Sequence, residues 1–115
     1  TGLVYPMQKY YPTWVLEEDH PALRAAVETF ERINGTTPVV DKWTFSTNGV
    51  GSMGICGVPT MGVGPGDEVD AHSVGERVSI EQLVKAVQLY AAFPLIYVNT
   101  VERVGSAKGR AATIA

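Results

Sequence analysis

His72 closes an acidic run, Asp67-Glu68-Val69-Asp70-Ala71-His72, that comes directly after the glycine-rich turn Gly62-Val63-Gly64-Pro65-Gly66. Carboxylate oxygens and an imidazole nitrogen are the donor types zinc accepts, so this stretch could carry a metal ligand. The alternative is a solvated acidic loop that contains one histidine, and the spacing does not choose between them. His20 stands before Pro21 at a helix start and reads as a residue of the first turn, far in sequence from any short ligand spacing with His72. The glycine turn could offer backbone N–H groups to a phosphate, yet it lacks the Lys-Ser/Thr of a P-loop and places acids where the anion would sit. Asn48, in Ser-Thr-Asn-Gly, could donate to a substrate carbonyl, or it could simply make a tight turn. Cys56 has no base beside it and reads as a buried structural thiol.

Elements must hold these groups in place. Gly2 to Trp14 mixes aromatic and aliphatic residues with Pro6 and Pro12, which predicts a short edge strand followed by a loop. Asp19, as a cap, and Pro21 start a helix that should run to about Asn34. Its apolar stripe is Leu23, Ala26, Val27, Phe30 and Ile33, and Gly35 is suited to a left-handed cap. Residues 38–45 read as a second strand, the Ser46–Gly49 turn as the opening of a short helical turn through Cys56, and Val58 to Val63 as a buried third strand. Ser79 and Gln82 have capping-box spacing. They predict a second helix from Ile80 to about Ala92, with Ile80, Leu83, Val84, Val87, Tyr90 and Ala91 as its core stripe and Pro94 as its stop. Leu95 to Val101 could add a strand, and Glu102 to Ala115 reads as a mobile tail. Trp14, Trp43, Tyr90 and Phe93 read as core. This alternation is an α/β pattern with helices covering a sheet.

Composition sets the limits. A chain of 115 residues is one domain or less and buries roughly 65% of its unfolded surface on folding. Net charge of −3 and a pI near 5.3 leave no electrostatic footprint for nucleic acid or an anionic membrane. No apolar run reaches the ~20 residues of a membrane span. A lone cysteine forms no internal disulfide, which fits a reduced, cytoplasmic setting. The start at Thr1 is compatible with processing or truncation.

Taken together, Tyr11-Pro12-Thr13-Trp14-Val15-Leu16, Asp19-His20-Pro21, Trp43 to Gly49, and Gly64-Pro65-Gly66-Asp67-Glu68 with Ala71-His72 and Glu76 resemble part of a known family. It is the carboxyl-terminal part of the co-catalytic zinc hydrolases, the metallopeptidase superfamily of acetylornithine deacetylase, succinyl-diaminopimelate desuccinylase, aminoacylase and carboxypeptidase G. The likeness is greatest to the selenium-metabolism hydrolase branch. The resemblance implies the closing portion of a three-layer α/β/α catalytic domain interrupted by a lid domain. Residues 1–17 would be the last lid strand and crossing, 18–97 the catalytic portion and 98–115 a tail. It further implies His72 as ligand to one ion of a zinc pair, with Asn48, Gly64, Gly66 and Glu76 lining the substrate pocket. Family members usually have Asn directly before the motif's Glu, whereas this chain has Gly75.

The family's other ligands and its Glu-Glu general base precede the lid and have no match here. The resemblance therefore implies a parent enzyme that cleaves small amides, N-acyl amino acids or peptides with zinc-activated water, and a chain that is inactive alone. Its partner would be an amino-terminal half or a second copy. Two other readings remain: a non-catalytic module that oligomerises or binds through its exposed sheet edge, and a small complete enzyme using Cys56, His72 and Asp70.

Overall fold

A helix begins at Pro21, where the missing N–H costs nothing, and runs to Asn34 as α1 in the computed structural model, which describes residues 2–111. Its start is capped by His20 rather than by Asp19. The His20 Nδ1 accepts the Ala22 N–H at 3.1 Å, taking one of the free donors of the first turn. At the other end Gly35 adopts φ 71°, a left-handed conformation cheap only for glycine, and its N–H closes on the Glu31 carbonyl.

The second long helix, α2, spans Ile80–Ala111 and passes through Pro94 instead of ending before it. Pro94 lacks the N–H that would reach the Tyr90 carbonyl, a loss that disfavours a helix interior by ~3 kcal/mol. Packing on both sides of the proline outweighs that loss, because Leu89 on one side and Ile96 and Thr100 on the other are all buried. The strand expected over Leu95 to Val101 is therefore helical, as is the expected tail from Glu102 as far as Ala111; the rest of that tail lies outside the described residues.

α1 and α2 pack on each other, but not through the stripes their sequences suggest. The face of α1 that disappears is Ala22, Ala25 and Thr29, at i, i+3 and i+7. Its small side chains let α2 come close, while Leu23, Ala26, Val27, Phe30 and Ile33 remain half-buried at the margin. Two buried threonines satisfy themselves on their own helices: the Thr29 hydroxyl donates to the Ala25 carbonyl at 2.6 Å and that of Thr100 to the Ile96 carbonyl at 2.8 Å. The expected core stripe of α2 faces outward instead, with Ile80 80% and Val87 67% exposed.

No strand and no sheet occurs among the described residues, which corrects the expected three-layer α/β/α arrangement. The three segments read as strands, Gly2 to Trp14, 38–45 and Val58 to Val63, form no ladder. Apolar alternation and proline specify an extended backbone but not the neighbour about 4.8 Å away that makes it a strand. Here side chains take over some of the backbone groups. The Trp14 indole N–H donates to the Thr60 carbonyl at 3.1 Å, and the Tyr90 hydroxyl donates to the Val63 carbonyl at 2.8 Å. Between them lie a π-helical turn, Val50–Ile55, and a 3-10 turn, Glu68–Asp70.

Glycines admit the rings that hold these loops together. A Cβ on Gly49 would overlap the Trp14 ring, and one on Gly62 would stand 2.6 Å from the ring of Trp43. Trp14 and Phe93 are accordingly half-buried, while Trp43 and Tyr90 remain exposed rather than forming core. Cys56 is exposed too, not the buried thiol expected.

Hydrophobic residues buried among those described are Ala22, Ala25, Leu89 and Ile96. The accessible surface is 9317 Å², against about 6,100 Å² for a folded monomer of this mass. The radius of gyration is 18.4 Å, against about 13 Å for a domain of this length.

Candidate functional site

The acidic run folds as a closed unit. The Asp67 side chain caps the 3-10 turn by accepting the Val69 N–H at 3.0 Å, and the Asp70 and Ala71 N–H groups return to the carbonyls of Asp67 and Glu68. The Ser73 N–H and hydroxyl both donate to the Asp70 carbonyl. At the end of this unit His72 has φ 62°, the left-handed region, where it is alone among the described non-glycine residues. Its exposed imidazole stands edge-on to Phe45, with centroids 5.7 Å apart and planes at 78°. Phe45 in turn leans on Trp43 at 5.6 Å, so indole, phenyl and imidazole form a row.

Glu68 ties that unit to the segment carrying the row. One of its carboxylate oxygens accepts both the Thr44 N–H at 2.9 Å and the Thr44 hydroxyl at 2.6 Å. The two bonds from Thr44, the hydroxyl's foremost, hold the Glu68 carboxyl below the usual glutamate range, against desolvation and the nearby charges of Asp41 and Asp67. A carboxyl depressed in the folded chain contributes its tether above the ordinary glutamate value and loses it as pH falls through the lower, folded one. The Thr44 amide resonance should therefore titrate with a midpoint below that of a free glutamate. A midpoint at or above it would mean that the two bonds do not persist in solution.

The remaining expected site residues are spread along the same loops. The Asn48 carbonyl accepts the Gly51 N–H at 3.0 Å and the Ser52 N–H at 3.2 Å, opening the π-helical turn, and its side chain is exposed. Gly66 takes φ 115° and donates its N–H to the Gln82 side-chain oxygen at 3.2 Å. Gln82 thus serves the glycine turn, while its own N–H donates a long 3.4 Å bond to the Ser79 hydroxyl, half of the expected capping box. Gly64 faces the Tyr90 hydroxyl, with room for a Cβ 3.7 Å away. Glu76 is exposed and is anchored through its N–H to the Ser73 carbonyl at 3.3 Å. No hydrogen bond or ion pair among the described residues joins Asn48 or Glu76 to His72. Asp70 pairs with Arg77 at 3.5 Å.

A cleft of about 270 Å³ opens between the end of α1, residues 63–65 and α2. Phe30, Asn34, Gln82, Lys85 and Tyr90 contribute to its walls. It shares Gly64 with the expected pocket but not Asn48, Gly66, His72 or Glu76.

A catalytic zinc needs about three protein ligands. Among the described residues no three His, Cys, Asp or Glu side chains converge, so these residues do not by themselves fit a zinc centre. Thr44, Phe45, Glu68 and Gln82 went unremarked as site residues from sequence. Glu68 stood in the acidic run, Thr44 and Phe45 in the Trp43–Gly49 run and Gln82 at a capping-box position, but nothing local pairs Glu68 with a partner 24 positions away.

The family model for peptidase family M20/M25/M40 matches residues 4–95, and the chain belongs to that family. It is 51% identical over 100 residues to the uncharacterized protein YgeY of Escherichia coli strain K12, a match covering 87% of this chain and 25% of the relative. It is also 34% identical over 93 residues to the N-formyl-4-amino-5-aminomethyl-2-methylpyrimidine deformylase of Bacillus subtilis strain 168, covering 81% of this chain and 22% of that protein. The chain thus spans about a quarter of the length of these relatives. No solved structure matches. No helix among the described residues is long and apolar enough to cross a membrane.

Proposed function

We propose that this chain is the carboxyl-terminal portion of a metal-dependent hydrolase that cleaves amide or N-acyl bonds with zinc-activated water. His72 is its contribution to the zinc pair, and Asn48, Gly64, Gly66 and Glu76 line the substrate side. Residues 1–17 belong to the lid side of the enzyme, 18–97 to the catalytic side and 98–115 to a tail. The other ligands and the general base come from an amino-terminal partner, and the chain alone is inactive.

The observation that carries this reading is His72 itself, presented on an exposed left-handed turn in a chain that matches M20 over residues 4–95 and spans a quarter of its relatives. The deformylase relative supports an N-acyl substrate, since a formyl group on nitrogen is the smallest such amide. The surface supports a partner. An excess of about 3,000 Å² over a compact monomer is on the scale of an obligate interface.

Native mass spectrometry tests it, on this chain alone and mixed with the amino-terminal three-quarters of the E. coli relative. The expected result is a zinc-free chain alone, and in the mixture a zinc-loaded complex that hydrolyses N-formyl or N-acetyl amino acids. One or two zinc ions held tightly by the chain alone would overturn the division of ligands. The exposed apolar faces also favour a second reading, a non-catalytic module that assembles with copies of itself. A stable homodimer that ignores the amino-terminal partner would establish it instead.

A further inference from the structure

His72 holds a left-handed backbone as the third residue of the turn 70–73: Ala71 has φ −59° and ψ 132°, His72 has φ 62°, and the Ser73 N–H closes on the Asp70 carbonyl at 3.1 Å, the type II pattern. Two contacts hold that turn in place. The first is the edge of the imidazole on Phe45. The second is one step away in the chain, at Thr44, whose N–H and hydroxyl both end on Glu68. Residues 67–73 are closed on themselves by the short-range bonds of the 3-10 turn and the Asp70 carbonyl, so they move as one piece. A contact at Glu68 therefore sets where His72 stands. Because Thr44 and Phe45 are neighbours, the clamp and the ring contact share one stretch of backbone.

We propose that Glu68 is a positioning residue for His72: by gripping Thr44 twice, its carboxylate holds the histidine turn against Phe45 and so sets the orientation of the imidazole. The geometry has a clear chemical use. A side chain held in its working orientation does not lose that freedom when it binds, and carboxylates or carbonyls beside functional histidines commonly provide this by direct contact. Here the carboxylate acts at one remove, through the backbone that carries Phe45. Asp70 is less suited to the task, since its carboxylate faces Arg77 and its carbonyl is taken by Ser73.

The assignment rests on His72 being a ligand only for its consequence, and its test involves no metal. The chain has two histidines, so the nuclear Overhauser effect between the His72 and Phe45 ring protons can be followed with His20 as an internal control of helix folding. In Glu68→Ala that signal should fall at least threefold while the His20 resonances stay in place. In Glu68→Gln, whose amide oxygen can still accept both Thr44 groups, more than half should survive. An undiminished signal in Glu68→Ala, or no such signal in the unaltered chain, overturns the proposal. A positive result in a chain whose reconstituted complex takes no zinc would retire the hydrolase reading and leave the clamp standing.

Discussion

In the reconstituted complex, His72→Ala should abolish hydrolysis of N-acyl amino acids while leaving the complex assembled. Loss of a partner that merely orients a ligand costs roughly 10–100-fold in metal affinity or activity, and loss of the ligand itself should exceed that. The fold should hardly notice. His72 is exposed, its one ring neighbour is Phe45, and replacing it with Ala removes little packing. Complex formation and zinc content read together separate the outcomes: an assembled complex with one zinc lost per chain and no activity fits a ligand. An assembled, zinc-replete and active His72→Ala complex would remove His72 from the metal site. Glu68→Ala should fall between, with weakened metal retention and partial activity, because the imidazole is present but no longer aimed.

Much of the site's chemistry is legible in the residues, and little of its geometry is. Asp67-Glu68-Val69-Asp70-Ala71-His72 announces donors by type, and the surrounding glycines announce a turn. Neither says that His72 takes a left-handed backbone, which the turn closed by Ser73 and Asp70 demands of its third residue. The Glu68–Thr44 clamp is invisible for a different reason. It joins segments that are distant in sequence, and no local pattern encodes which of several acids will meet which hydroxyl. Cys56 shows the converse error. Flanked by Ile55 and Gly57 it looks buried, but burial belongs to whatever packs over a residue, and Cys56 is exposed.

The helices divide along the same line. α1 starts and stops where Pro21 and Gly35 place it, because caps and chain-direction signals act within a turn. Its buried face is displaced from the apolar stripe because Ala22, Ala25 and Thr29 let α2 approach, and closeness rewards small side chains over large ones. For α2, local rules stop the helix at Pro94, and tertiary packing through Leu89, Ile96 and Thr100 carries it on. The extended runs fail most completely. Val58 to Val63 has the composition of a buried strand, yet a strand exists only with its neighbour, and 54% exposure of Val58 shows how little covers it.

Gly49→Val should unseat Trp14 and with it the whole connection between the amino-terminal arm and the loops. Gly49 has φ −57°, ordinary right-handed backbone, so valine carries no conformational penalty of sign and the effect is steric alone. A Cβ there already overlaps the six-membered ring of Trp14, and two γ-methyls add to it. Rigid backbone surrounds the contact: the Gly49 N–H is held by the Thr47 hydroxyl at 3.1 Å and the π-helical turn begins at the next residue. The indole must therefore move, breaking its 3.1 Å bond to the Thr60 carbonyl and uncovering Gly49, which is buried. Overpacking of this kind costs about 1–3 kcal/mol, a large fraction of the stability available to so thin a core. The indole N–H resonances of Trp14 and Trp43 report it directly: the first should collapse toward its solvent-exposed position, the second should hold. Gly51→Val is the matched control, since its Cβ meets nothing within 4 Å, and it should leave the Trp14 signal unchanged. If Gly49→Val leaves that signal in place, the arm is not pinned by the ring, and residues 2–14 must be positioned by some contact other than Trp14.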